Sequence, residues 1–179
     1  GWLNKAKGAI FTNWRLGEFV KTDAHVFGQD YGFSKDATTL IETSIDFDKE
    51  IIYVKEHMYA HGLKTKDIYK VNNSVAKDNL IIADLAEGRL IEELEEMGNN
   101  IERCKKGAGS VSYGIKLIQG FDVIVDPNSK NLIEELQNYQ WLGNKDGIPM
   151  DDWNHCIDAW RYAVNYLNND RDTGDYHVL

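Results

Sequence analysis

The stretch HVFGQDYGFSKDATTLIETSIDFDKEIIYVKEHMYA, residues 25–60, decides the fold. Within it, residues 25–32, 38–47 and 50–60 are each rich in β-branched and aromatic side chains, and DFDKE makes a tight turn between the last two. Three strands with short connections predict an antiparallel meander. Downstream the period changes. In residues 64–76 Ile68, Val71 and Val75 share one helical face, and residues 79–86, NLIIADLA, form the short apolar run of a buried strand. A helix over 88–98 stopped at Gly98, a strand over 100–106, a helix from Ser110, a strand over 121–127, a helix over 129–141 and a final helix over 150–169 complete the pattern. Strands followed by αβ alternation predict one α/β domain. Residues 1–22 mix Trp with Gly without a sustained period, and read as a lead-in with one short strand at GAIF. The polar tail is expected to fray.

The chain has 179 residues, 42% of them hydrophobic, which suffices for one domain with its own core. Twenty Lys and Arg against 29 Asp and Glu give a net charge of −9, so a polyanion must be met locally rather than by a surface that is basic all over. Cys104 and Cys156 can form neither a disulfide scaffold nor, alone, a four-ligand zinc site. No run approaches the roughly 18 apolar residues of a membrane helix, and Lys5, Lys7 and Arg15 interrupt any signal peptide, so a soluble intracellular protein is expected. A chain that starts at Gly1 rather than Met is expected to be a fragment.

Among the many carboxylates, three stand where the pattern predicts burial. Asp30 closes the first strand of the meander and is followed by Tyr31 and Gly32; Asp84 follows LIIA in the same way. Ligands of open α/β sheets bind at the carboxyl ends of strands, and these two aspartates are neighbours if their strands are adjacent. Asp158 lies in the last helix one turn after His155, on the side continued by Ala159, Tyr162, Ala163 and Tyr166. Three converging carboxylates repel one another unless divalent cations such as Mg²⁺ or Mn²⁺ neutralise them. Singly, each Asp reads equally well as a cap or turn former and His155 as a satisfied core histidine; the combination carries the signal. Arg103, Lys105, Lys106 and Lys116 against Glu102, with Gly107 and Gly109 just before a helix, form a candidate phosphate-contact segment or else a solvated loop. Lys64 and Lys66, with Thr65 as a helix cap, form a second patch. His57 and His61 lack the Glu of a zinc-helix motif and read as surface histidines. Trp153 and Trp160 are expected to pack the last helix on the sheet.

HVFGQDYGFSKDATTL, LIIADLAEGRLIEELEEMG, CKKGAGSVSYGIKLIQ, NLIEELQNYQW and IPMDDWNHCIDAWRYA, spanning Phe27 to Tyr166, together resemble the nuclease domain of the tailed-bacteriophage terminase large subunit. The resemblance implies a ribonuclease H-like α/β fold: a five-stranded mixed sheet, its first three strands antiparallel, flanked by helices. It implies a two-metal endonuclease cutting double-stranded DNA, with catalytic and metal-binding roles for Asp30, Asp84, Asp158 and His155, and Asp36 in support. Whether His155 ligates metal or transfers protons stays open. Two divalent ions, Mg²⁺ or Mn²⁺, are the implied cofactors. Double-stranded DNA, a terminase ATPase domain on the same parent chain, the small terminase subunit and the portal protein are the implied partners, in the host bacterial cytoplasm. Residues 1–22 would then end an interdomain linker, 23–170 form the nuclease and 171–179 a flexible tail. Leu85-Ala86-Glu87-Gly88 departs from the family's Ser-Ala-Glu-Pro after the second aspartate, and no G-x-x-x-x-G-K-[ST] phosphate loop occurs in the sequence. A junction resolvase, an actin-like ATPase domain or a non-catalytic docking module are the competing readings; a proofreading exonuclease would want a D-x-E pair that Asp30-Tyr31-Gly32 does not supply.

Overall fold

The computed structural model describes residues 8–105, 110–143 and 147–172, the side chains of Leu85 and Asp172 excepted. Seven strands form one mixed sheet: β1 (Trp14–Leu16), β2 (Ala24–Gln29), β3 (Thr38–Asp46), β4 (Ile51–Ala60), β5 (Ile81–Ala83), β6 (Ile101–Arg103) and β7 (Asp122–Val125), in the order β1-β7-β4-β3-β2-β5-β6. The helices are α1 (Thr65–Val75), α2 (Gly88–Met97), α3 (Ser110–Gln119), α4 (Lys130–Asn138) and α5 (His155–Asp172), with a 3₁₀ turn at Leu85–Glu87. The meander is present: β2 pairs antiparallel with β3, and β3 with β4. The expected five-stranded sheet is its β4-β3-β2-β5-β6 portion. β7 and β1 extend it beyond β4 with parallel pairings, so the count is seven.

β1 comes from the segment read as a lead-in, but at residues 14–16 rather than at the GAIF stretch of 8–11, where Ala9 makes a single bridge to Gln140. Ile10, Phe11 and Trp14 are buried, Phe11 stacks on Tyr139 and meets Trp160, and the Asn13 side-chain amide donates to the carbonyls of Ile118 and Phe121. Residues 9–16 therefore belong to the packed domain rather than to its approach. Their partners lie more than a hundred residues away in sequence, which is why no local period announces them.

Strand alternation sorts the core onto two faces. Val26, Ile41, Ile45 and Ile82 face α3, α4 and α5, while Phe27, Leu40, Ile81 and Ala83 face α1 and α2. Gly28 lies on the α5 face, and a Cβ there would stand 1.8 Å from the Ala159 carbonyl oxygen: the helix rests directly on the β2 backbone. Trp160, on the inner side of this helix, is fully buried, as expected, whereas Trp153 is partly exposed at φ +55°. That left-handed residue starts α5 at His155 instead of residue 150. Helix α4 likewise stops at Asn138, after which Gln140 bridges to Ala9 and Trp141 to Pro149.

His57 is half-buried rather than a free surface histidine. Both His25 and His57 contact Glu42, at 2.6 and 2.8 Å, on the sheet face away from α5. Burial alone would raise the Glu42 carboxyl, but the two imidazoles hold it down at about 2. His61 is exposed as read. Among the described residues no helix is long and apolar enough to cross a membrane.

Candidate active site

β2 and β5 are parallel neighbours, with Gln29 opposite Ala83. The next residue on each is an aspartate, Asp30 and Asp84. Both continue the alternation that places Gly28 and Ile82 on the α5 face, so the two carboxylates emerge side by side at the carboxyl edge of the sheet, under α5. From above, α5 contributes His155, Asp158, Arg161 and Tyr162, spaced to share the helix face laid over that edge.

The position of α5 is fixed from two sides. The backbone amides of Cys156 and Ile157 donate to the Glu135 carboxylate at 3.1 and 3.0 Å, so a buried side chain of α4 serves the unpaired donors of the first turn. The Thr39 hydroxyl donates to the His155 carbonyl at 3.4 Å, and the Thr39 amide to the Asp30 carbonyl at 2.9 Å, which ties the start of the helix to the end of β2. Neither Glu135 nor Thr39 stood out in the sequence. Glu135 could have been found as an acid on the apolar stripe of Leu132, Leu136 and Tyr139.

His155 lies between two carboxylates, with Nδ1 3.8 Å from Asp30 and Nε2 3.7 Å from Asp36. The Asp30 carboxylate raises its pKa against the opposing effect of burial, with Glu135 adding to the rise. Asp36 reaches the cluster through this histidine, from a loop pinned where Thr38 Oγ1 accepts from the Gly32 amide at 3.0 Å. Burial pushes the Asp158 carboxyl up to about 6 despite the pull of Arg161, and the Asp30 charge adds to the rise. Burial and then the charges of Asp84 and Asp30 raise Glu87, a fourth acid at this edge that the sequence reading did not include. The Tyr162 hydroxyl stands 3.5 Å from Asp84 Oδ2, and burial together with all three aspartates keeps it protonated.

The carboxylates are close enough to perturb one another, yet each is held by protein donors. Asp84 Oδ1 accepts from the Ala86 amide at 2.9 Å, and Asp158 Oδ1 lies 3.4 Å from Arg161. Among the described residues, accordingly, no three His, Cys, Asp or Glu side chains are gathered tightly enough to hold a metal ion as they stand. An oxygen-rich set whose members raise one another's pKa is nevertheless the chemistry that suits hard divalent cations.

The basic residues separate. Arg103 ends β6 and Lys105 follows it at the same edge as Asp84, although Arg103 also contacts Glu95 at 3.3 Å. Lys106, Gly107 and Gly109 lie outside the described residues. Lys116 is exposed in the last turn of α3, away from that edge. Lys64 and Lys66 open α1; Lys64 rather than Thr65 is the cap residue, its amide donating to Asp67, while the Thr65 hydroxyl donates to Glu93.

An antiparallel meander continued by parallel strands, with acids at the ends of two adjacent strands and more on a helix across them, defines the ribonuclease H-like class. Sequence comparison narrows this: the family described as the terminase RNase H-like domain matches residues 30–166, and the chain belongs to that family. It is 32% identical over 171 residues to the terminase large subunit of Bacillus phage SPP1, covering 86% of this chain but 40% of that protein. The chain thus spans about two fifths of the length of this relative. The crystal structure of the large terminase nuclease domain from bacteriophage SPP1 with bound Mn superimposes with a TM-score of 0.76 at 30% identity, over 87% of this chain and 97% of that one. The nuclease of thermophilic phage G20c with bound magnesium (TM-score 0.63, 17% identity, 89% of this chain and 98% of that one) shares the fold.

Proposed function

We propose that this chain is a metal-dependent endonuclease that cuts double-stranded, concatemeric viral DNA during genome packaging, as the nuclease part of a terminase large subunit. The observation that carries the reading is the register of β2 on β5, which sets Asp30 beside Asp84 beneath the helix bearing His155 and Asp158. The SPP1 nuclease domain, solved with bound Mn, supports the use of a divalent ion.

Asp30, Asp84 and Asp158, with His155, would hold two Mg²⁺ or Mn²⁺ ions. Such ions, when bound, activate water and stabilise the leaving oxygen of a phosphodiester. Asp30 is central because it faces both β5 and α5. Asp36 orients His155 from the side opposite Asp30, and the raised pKa of that imidazole suits it to carry a proton between carboxylates at this edge. The Tyr162 hydroxyl steadies Asp84. Around the cluster Arg103, Lys105, Lys64 and Lys66 would meet DNA phosphates at strand ends of the same edge, with Lys116 further along α3; Lys106, outside the described residues, is proposed for the same role from the sequence alone. Double-stranded DNA, an ATPase domain on the same parent chain, the small terminase subunit and the portal protein are the proposed partners, in the host bacterial cytoplasm. The proposed bounds are a lead-in over 1–22 that ends an interdomain linker, the nuclease over 23–170 and a tail over 171–179, with residues 9–16 packed into the domain and α5 running on to Asp172.

Asp84→Asn removes a charge from the cluster while preserving shape. It is expected to abolish Mn²⁺-dependent conversion of supercoiled plasmid to nicked and linear forms, a loss of at least about a hundredfold, with an unchanged circular dichroism spectrum. Full cutting by this variant would refute the assignment.

A further inference from the structure

A cavity of about 370 Å³ opens between β6, the start of α3 and α5, outside the carboxylate cluster but sharing a wall with it. Arg161 and Tyr162 form that wall. One faces Asp158 and the other Asp84. Arg103 and Lys105 also line the cavity, so three cations converge on one hollow of a chain whose net charge is −9, against Glu102 and Asp170 as its acidic lining.

Arg161 is the unusual member. Its side chain is only 7% exposed, Asp158 meets one edge of the guanidinium at 3.4 Å, and its Nε has no hydrogen-bond partner among the described residues. The side-chain oxygen of Asn165, another lining residue, is likewise unpartnered there. The Arg161 side chain also lines the hollow, so a cation nine-tenths buried, and only partly used by Asp158, forms part of its wall. The fold makes room for this side chain: a Cβ at Gly114 would stand 2.5 Å from Arg161 Cγ. Planar, permanently charged and weakly hydrated, a guanidinium is suited to phosphate. The volume exceeds what a bare phosphate needs and lies within the range of small-molecule sites, which suits a phosphate together with its sugar.

We propose that this cavity seats a nucleotide of the DNA strand flanking the one presented to Asp30, Asp84 and Asp158, with its phosphate on Arg161 and the rim cations Arg103 and Lys105; this rests on the nuclease reading. Arg161 then faces substrate with one edge and Asp158 with the other, so it would sense both DNA and the carboxylate cluster.

The test uses the metal-free chain in EDTA, with the Arg side-chain Nε–H groups followed by ¹H–¹⁵N NMR during titration with thymidine 5′-monophosphate and with a short DNA duplex. The Arg161 signal, assigned by its loss in Arg161→Lys, is expected to move saturably with both. Duplex affinity is expected to fall about tenfold in Arg161→Lys and in the exposed rim variant Lys105→Glu. Lys105→Glu should keep the parent melting temperature and the parent response to Mn²⁺, which separates lost binding from lost folding. An Arg161 signal that stays still at saturating duplex, or variants that bind duplex as tightly as the parent, would overturn the proposal. A signal that moves in a chain that never cuts plasmid with Mn²⁺ would support the nucleotide seat and overturn the nuclease reading instead.

Discussion

Asp158 shows at the level of one residue why this edge of the sheet calls for cations. Its carboxyl is pushed from an ordinary value of 3.8 up to about 6 by burial, with the Asp30 charge adding to the rise. A carboxyl whose folded pKa lies above its unfolded value favours the folded state only while protonated. Its contribution is complete below the unfolded pKa and is lost as pH rises through the folded one. Glu135, pushed up to about 7 by burial, acts in the same sense. In the absence of metal the melting temperature should therefore fall between about pH 4 and pH 7, and Asp158→Asn should flatten part of that fall. At pH 7 millimolar Mn²⁺ should restore several degrees to the parent and less to Asp158→Asn, as read by circular dichroism melts. Equal Mn²⁺ responses in the two proteins would show that Asp158 takes no part in binding. Position in the pattern was enough to mark this residue and its partners Asp30, Asp84 and His155. Glu87 and Tyr162 were not marked, because their nearness to Asp84 depends on how the chain turns after β5 and where α5 crosses it.

At the scale of elements, α5 is the part on which the rest depends, since it carries half of the cluster and lies across β2 with no side chain between them at Gly28. Gly28→Ala must push the Ala159 carbonyl away from β2. Overpacking of this kind costs about 1–3 kcal/mol or more. The expected result is a lowered urea midpoint together with a cutting rate reduced beyond what the folded fraction explains, because Asp158 and His155 move with the helix. A variant that loses stability but keeps the parent rate per folded molecule would show that the site tolerates a shift of α5. The meander, the β5 run and the amphipathic last helix were all readable from period and turn chemistry alone. The seat of α5 was not: Gly28 inside a strand, Glu135 on an apolar stripe and Thr39 at a strand start each look unremarkable until the chain brings them together. β1 escaped notice for the same reason, since three residues cannot display a period and its partner β7 lies over a hundred positions away.

For the whole molecule, the net charge of −9 and a nucleic-acid substrate are compatible once the charge is located. Acids gather at the carboxyl edge of the sheet, and Arg103, Lys105 and Arg161 gather beside them around the cavity. The chain spans about two fifths of the SPP1 relative, and under the proposed nuclease reading DNA is met locally rather than by the acidic remainder of the surface. The central claim is that Asp30, Asp84, Asp158 and His155 form one divalent-metal centre. Anomalous diffraction at the manganese edge from crystals of this chain soaked in Mn²⁺ tests it most directly. The account predicts two peaks enclosed by those four side chains, with Asp158 turned from Arg161 toward metal; manganese bound elsewhere, or no peak between β2, β5 and α5 at full soaking, would contradict it.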